Sequence, residues 1–139
     1  MQKLVFFFLL LFGGFKVNTN PPLLKIVVKN IQQPQGSVKV ALFLSSESFL
    51  KDYSIGKVKK VTQTGTVVVE FEYLPKGTYA VSAIHDINNN GKLDKNFLGI
   101  PKEPYGFSNG AQGKFGPPAF EEAKINFRED DEVVEVSLR

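Results

Sequence analysis

The chain contains no cysteine. That excludes disulfides, thiolate zinc sites, cysteine nucleophiles and lipid attachment through a cysteine behind a signal. Histidine is nearly absent too, with His85 alone, so general bases are scarce. Charge of one sign is also lacking. The 17 basic and 14 acidic residues give +3, and without Lys3 and Lys16 the balance falls to +1. A near-neutral body does not point to nucleic acid as a partner. No apolar run is long enough to cross a membrane. The one candidate, Leu4 to Phe12, falls well short of the roughly 20 residues a spanning helix needs. It follows the charge of Lys3 and ends at Gly13-Gly14-Phe15-Lys16, as the n-region and h-region of a secretory signal do. The expectation is a signal peptide over 1–19 and one exported domain over 20–139, with no transmembrane segment in the mature chain. An exported domain without disulfides must rely on its core, or on a core plus a metal.

Helical periodicity is missing as well. After Pro22 the apolar residues recur at every second position, the period of half-buried strands. Leu24, Ile26 and Val28 form one such face. Val38, Val40, Leu42 and Leu44 form another. The turn chemistry of Gln32-Gln33-Pro34-Gln35-Gly36 between them predicts a hairpin. Ser45 or Ser46 is placed to cap a short helical turn carrying Phe49 and Leu50. A modest strand follows at 57–62. Its Lys57-Val58-Lys59-Lys60 run suits a charge-protected edge strand. Val67, Val69, Phe71 and Tyr73 give the next inward face. Tyr79, Val81, Ala83 and His85 give another. Ile125 and Phe127, then Val134, Val136 and Leu138, give the last two. Glu129 to Glu132 reads as the turn between them. The resulting expectation is all-β: a seven-stranded antiparallel β-sandwich of the immunoglobulin/transthyretin-like kind.

One segment breaks this rhythm. Residues 86–118 hold six of the 12 glycines and four of the eight prolines. The long loop, taken as 86–122, is too rich in aromatics for disorder and is expected to be ordered and functional. At its start, Asp86, Asn88 and Asn90 alternate, Gly91 follows, and Asp94 comes three residues later. Alternate oxygens with a turning glycine suit a hard cation. The expected Ca²⁺ ligands are the side chains of Asp86, Asn88 and Asn90, the carbonyl of Lys92, and Asp94. The twelfth position is Phe97 rather than a bidentate glutamate, so a remote carboxylate is needed, from Glu103, Glu121 or Glu122. Two neutral ligands imply weak affinity, roughly 10⁻⁴–10⁻³ M. The competing explanation is an Asx-rich turn that bonds its own backbone.

His85 is expected inside and structural, tethering the start of the loop, and no catalytic residue is assigned. A hydrolase would have to pair His85 with a loop carboxylate and use Ser108 as nucleophile, with no nucleophile elbow in support. Tyr105 and Phe107 are candidate ligand-binding residues, able with the neighbouring prolines Pro101 and Pro104 to form a sugar-stacking or peptide-docking surface, or to build a small core within the loop. Gly116-Pro117-Pro118-Ala119-Phe120 reads as a rigid extended end of the loop.

The run from Leu74 to Ala123 resembles an uncharacterised family of exported bacterial proteins, domain of unknown function 2141. The resemblance lies in Pro75-x-Gly77-x-Tyr79-Ala80, in His85-Asp86-x-Asn88-x-Asn90-Gly91-x-Leu93-Asp94, in Gly99-Ile100-Pro101-x-Glu103-Pro104-Tyr105-Gly106-Phe107-Ser108, and in Gly116-Pro117-Pro118-x-Phe120. It implies export in a bacterium, to the periplasm or beyond, and a small β-rich domain. More distantly, Leu74-Pro75-x-Gly77-x-Tyr79 is similar to the strand entry of transthyretin-like and collagen-adhesin B-type sandwiches. The functional expectation is a non-enzymatic binding or structural accessory module, with a protein or glycan of the cell envelope as partner. A carbohydrate-binding module and, less favoured, a small hydrolase are the alternatives.

Overall fold

The computed structural model describes residues 20–128 and 130–139. The expected signal at 1–19 lies outside them. The described chain is all-β, in two open sheets. Its strands are β1 (Leu23–Ile31), β2 (Ser37–Phe43), β3 (Ile55–Lys60), β4 (Gly65–Glu72), β5 (Gly77–Asp86), β6 (Tyr105–Phe107), β7 (Lys124–Phe127) and β8 (Glu132–Ser137). A single helical turn, α1 (Phe120–Ala123), precedes β7. Eight strands form among the described residues, not seven.

The first sheet runs β4-β1-β8, and the second runs β3-β2-β5-β6 with β7 also on β5. Every pairing is antiparallel except β1 with β8, which is parallel. The sheet is therefore mixed rather than purely antiparallel. The period-two faces meet between the sheets. Leu24, Ile26 and Val28 join Val38, Val40 and Leu42 in one buried cluster with Val69, Phe71, Tyr79, Val81, Ile125, Phe127 and Val136. Two inward assignments fail at strand ends. Leu44 lies beyond β2 and Tyr73 turns out of β4 at φ 57, and both are exposed.

The expected β1–β2 hairpin does not form. β1 pairs with β4 and β8, whereas β2 pairs with β3 and β5. The apolar faces of β1 and β2 thus oppose each other across the core. The connection is pinned to the second sheet instead of closing a tight turn. The Gly36 carbonyl accepts the Val61 amide at 3.0 Å. The Gln35 carbonyl accepts His85 Nε2–H at 2.7 Å. Gly36 sits at φ +73, and a Cβ there would lie 2.2 Å from the Asp86 carbonyl oxygen. Only glycine allows this approach of two backbones.

β5 is buried on both faces. Its inner face enters the main core. Its outer residue Ala80 joins a second cluster with Phe43, Phe49, Phe107, Phe120 and Ala123. Phe49 meets Phe43, Phe107 and Phe120 edge-on, with ring centroids 5.3, 6.1 and 5.9 Å away. The turn over 46–51 that carries Phe49 is held by Ser45 Oγ accepting the Ser48 amide at 3.3 Å. The loop's own aromatics Phe107 and Phe120 thus build part of a second core.

Tyr79 anchors the entry to β5. Its hydroxyl donates to the Pro75 carbonyl at 2.6 Å, the geometry of a tyrosine corner. The lysines of β3 behave as edge protection. Lys57 and Lys59 reach the Glu70 and Val68 carbonyls of β4 at 2.5 and 2.7 Å. They cover edge acceptors that another strand would otherwise pair with. At the opposite corner β6 joins the two sheets. Tyr105 pairs with Ile84 of β5, and it exchanges two backbone bonds with Arg139 at 3.2 and 3.0 Å.

Candidate functional site: the loop after β5

β5 delivers His85 and Asp86 into the interior at the root of the loop. His85 is fully buried. Nε2 donates to the Gln35 carbonyl, its backbone amide donates to the Pro104 carbonyl at 2.9 Å, and Nδ1 has no partner among the described residues. The ring ties the β1–β2 connection to β5, and its backbone holds the far end of the loop. This is the structural position expected of it. Ser108 is buried as well. Its hydroxyl donates to the Ala123 carbonyl and accepts the Val81 amide at 3.0 Å. Both groups are engaged in holding elements together.

The Asp86–Asp94 turn is closed by protein donors. Asp86 is 1% exposed and accepts the amides of Asn90 and Gly91 at 3.1 and 2.8 Å, with Lys39 Nζ 3.6 Å away. Gly91 has φ +85, which suits glycine where the chain reverses toward that carboxylate. Asn88 and Asn90 each accept the backbone N–H two residues on, at 3.1 and 2.9 Å. Their amide nitrogens both donate to Asp94 at 2.7 Å. These two bonds, Asn90 first, hold the Asp94 carboxyl below its ordinary range, and Lys102 and Lys92 add to the effect. Asn89 points away from the turn and bonds Ser37 at 2.7 Å. All the features of an Asx-rich turn are therefore present.

Of the three remote carboxylates considered, only Glu103 reaches this turn. It is 7% exposed, and its two oxygens accept the amides of Ile87 and Asp94 at 2.9 and 3.1 Å. Glu121 and Glu122 lie on α1. Glu121 pairs with Lys124 at 2.5 Å, and Glu122 accepts the Ala119 amide at 2.8 Å. Among the described residues no three His, Cys, Asp or Glu side chains group as metal ligands. Lys92 contributes its backbone amide to Asn90.

Beyond Asp94 the loop projects a tight tip. Lys95 bridges Pro101, and the Asn96 amide donates to the Ile100 carbonyl at 2.9 Å. Asn96 Oδ1 accepts the amides of Leu98 and Ile100 at 2.9 and 3.0 Å. The side chains on this tip are apolar and exposed: Phe97 at 95%, Leu98 at 68% and Ile100 at 56%. A second excursion at 113–117 exposes Phe115 completely. Between the two excursions lies a groove of about 820 Å³. Tyr105 and Phe107 line its floor with Ile84. Their rings stand edge-on, centroids 5.9 Å apart and planes at 73°. Phe107 is buried and Tyr105 half-buried. They do not form one flat stacking face.

The structure brings Asp86, Asn88, Asn90 and Asp94, singled out by their spacing, into one hydrogen-bonded turn. Sequence reasoning missed Phe97, Leu98, Ile100 and Phe115 as a surface. Their signal was Asn96-Phe97-Leu98-Gly99 and Gly113-Lys114-Phe115-Gly116, where turn residues force apolar neighbours to the tip.

No curated protein and no solved structure matches the chain. Its residues 26–135 match the family described as an uncharacterized protein conserved in bacteria (DUF2141), and the chain belongs to that family.

Proposed function

We propose that the protein is an exported, non-enzymatic binding module of the bacterial cell envelope, and that it binds through the loop groove. One observation carries this reading. Large apolar side chains are left in water on two excursions of the loop: Leu98, Ile100 and Phe115 line a single concavity, and Phe97 stands beside it. Exposed apolar surface that is contiguous and concave marks an interaction site. Isolated exposed residues such as Val58 or Val133 do not. The case against catalysis rests on the burial of His85 and on the commitments of Ser108, neither of which is offered to the groove. Export rests on the Lys3 charge and the Leu4–Phe12 run. We take the two-sheet body as a sandwich of the immunoglobulin/transthyretin kind on the strength of the Tyr79 corner.

Calcium belongs to this proposal only as a weak additional ligand of the Asp86–Asp94 turn. Its entry would have to draw Asp94 away from the two asparagine amides. Melting measured with and without millimolar Ca²⁺ tests this part. A rise abolished by Asp94→Asn supports it, and unchanged melting removes it.

The binding face itself is tested by amide chemical shifts during titration with an envelope extract from a bacterium. Shifts should concentrate at 93–101 and 113–117. Shifts centred on His85 and Asp86, or turnover of an extract component, would replace this reading with the hydrolase.

A further inference from the structure

Phe97 does not line the groove. It stands 95% exposed on the tip beside it. A small ligand seated in the groove would leave Phe97 in water, along with the outer face of Phe115. A broad, apolar-cored partner would cover both. The tip is also pre-formed. Asn96 fixes Leu98 and Ile100 through its own side chain, so burying the tip costs little ordering. The charged residues lining the groove are Lys95 and Lys114, and no Asp or Glu is among its lining. Neither lysine has an ion-pair partner among the described residues. Aromatic and aliphatic tips beside unpaired lysines match the two layers of a lipid interface. The rings enter the acyl boundary, while long lysine stems carry their charge to anionic headgroups.

We infer that the face formed by Phe97, Leu98, Phe115, Lys95 and Lys114 docks on an anionic lipid bilayer. This inference rests on the loop face being the binding face and adds the identity of what it meets. The interaction is peripheral, with the sheets left in water. It depends on both layers of contact, apolar and electrostatic, and it therefore weakens with salt.

Vesicle flotation of the protein in the form the cell accumulates tests it. The vesicles are phosphatidylglycerol with phosphatidylethanolamine, against phosphatidylcholine alone. Flotation is expected with the anionic vesicles at physiological salt, with little on phosphatidylcholine and a marked loss at high salt. Phe97→Ser with Phe115→Ser should lower partitioning at least about tenfold. Lys95→Gln with Lys114→Gln should do the same. All four positions are exposed, so unchanged melting will show that the variants fold. Absence of flotation overturns the inference, as does flotation indifferent to both double variants. Octanoate binding in the groove without vesicle binding also overturns it and assigns the groove to a monomeric amphiphile. Loop-face shifts with envelope extract but no flotation would sink the lipid inference and leave the proposed function standing. Loss of both would sink both.

Discussion

Glu103→Ala probes the device that shapes the loop. Glu103 is buried, and its two oxygens hold the amides of Ile87 and Asp94, which lie at the two ends of the turn. Hydrogen bonds to a charged acceptor contribute about 1.5–3 kcal/mol each. Ile87 and Asp94 are themselves only half-buried, so water can reach the freed amides and the lower figure applies. Two bonds at that figure give a loss of about 3 kcal/mol. For a domain of this size that corresponds to roughly 10 °C in melting temperature. Glu103→Gln keeps one acceptor but turns an NH₂ group toward the other amide. It should cost about half as much, near 1.5 kcal/mol. Glu121→Ala removes an exposed pair with Lys124 and should stay within about 0.5 kcal/mol. Urea unfolding in the presence of a chelator gives all three values without a contribution from calcium. A Glu103→Ala protein within about 0.5 kcal/mol of the parent would show that the carboxylate does not hold the loop.

Three further perturbations follow from the same geometry. Gly36→Ala places a Cβ against the Asp86 and Ile87 backbones at φ +73. It should cost more than the roughly 1–2 kcal/mol of a left-handed residue alone, seen as a lowered urea midpoint. Tyr79→Phe removes the hydroxyl bond to Pro75 and should cost about 1–2 kcal/mol by the same measurement. In the parent, burial also pushes the Tyr79 phenol up, so its absorbance titration should begin above that of a free tyrosine. The Asp94 carboxyl is held low by Asn90 and Asn88. Its contribution is therefore full above the ordinary aspartate range and is lost as pH falls below that range, through the depressed folded value. Amide shifts of Asn88 and Asn90 followed down in pH should report the loss, and an Asp94 titrating at or above the free value would refute it.

Much of the body was legible because period two is a local signal. Val38, Val40 and Leu42, like Tyr79, Val81, Ala83 and His85, face inward as their spacing requires. Strand partnership was not legible, because it is set at long range. Turn residues at Gln32–Gly36 look alike whether they close a hairpin or cross between sheets, and what decides is the pinning by Val61 and His85. The parallel β1–β8 pair is invisible for the same reason. β6 escaped notice because three residues around Gly106 carry no period. Within the loop, composition announced order but could not sort the aromatics. Phe107 and Phe120 go in because a hollow formed by Phe43 and Phe49 receives them. Phe97 and Phe115 stay out because they sit on turn tips. Glu103 was one of three candidate carboxylates, and only the reach of the folded loop selects it.

The central claim is that the chain from Asp86 to Lys102 is a fixed platform, held by its own carboxylates and amides, and that it presents the apolar tip beside the groove. Hydrogen exchange at the amides of Asn90, Gly91, Asp94, Leu98 and Ile100, in calcium-free buffer, tests this most directly. All five are bonded to Asp86, Glu103 or Asn96 and should exchange at least about 100-fold more slowly than free peptide. Free-peptide rates at these amides, with β5 still protected, would contradict the claim.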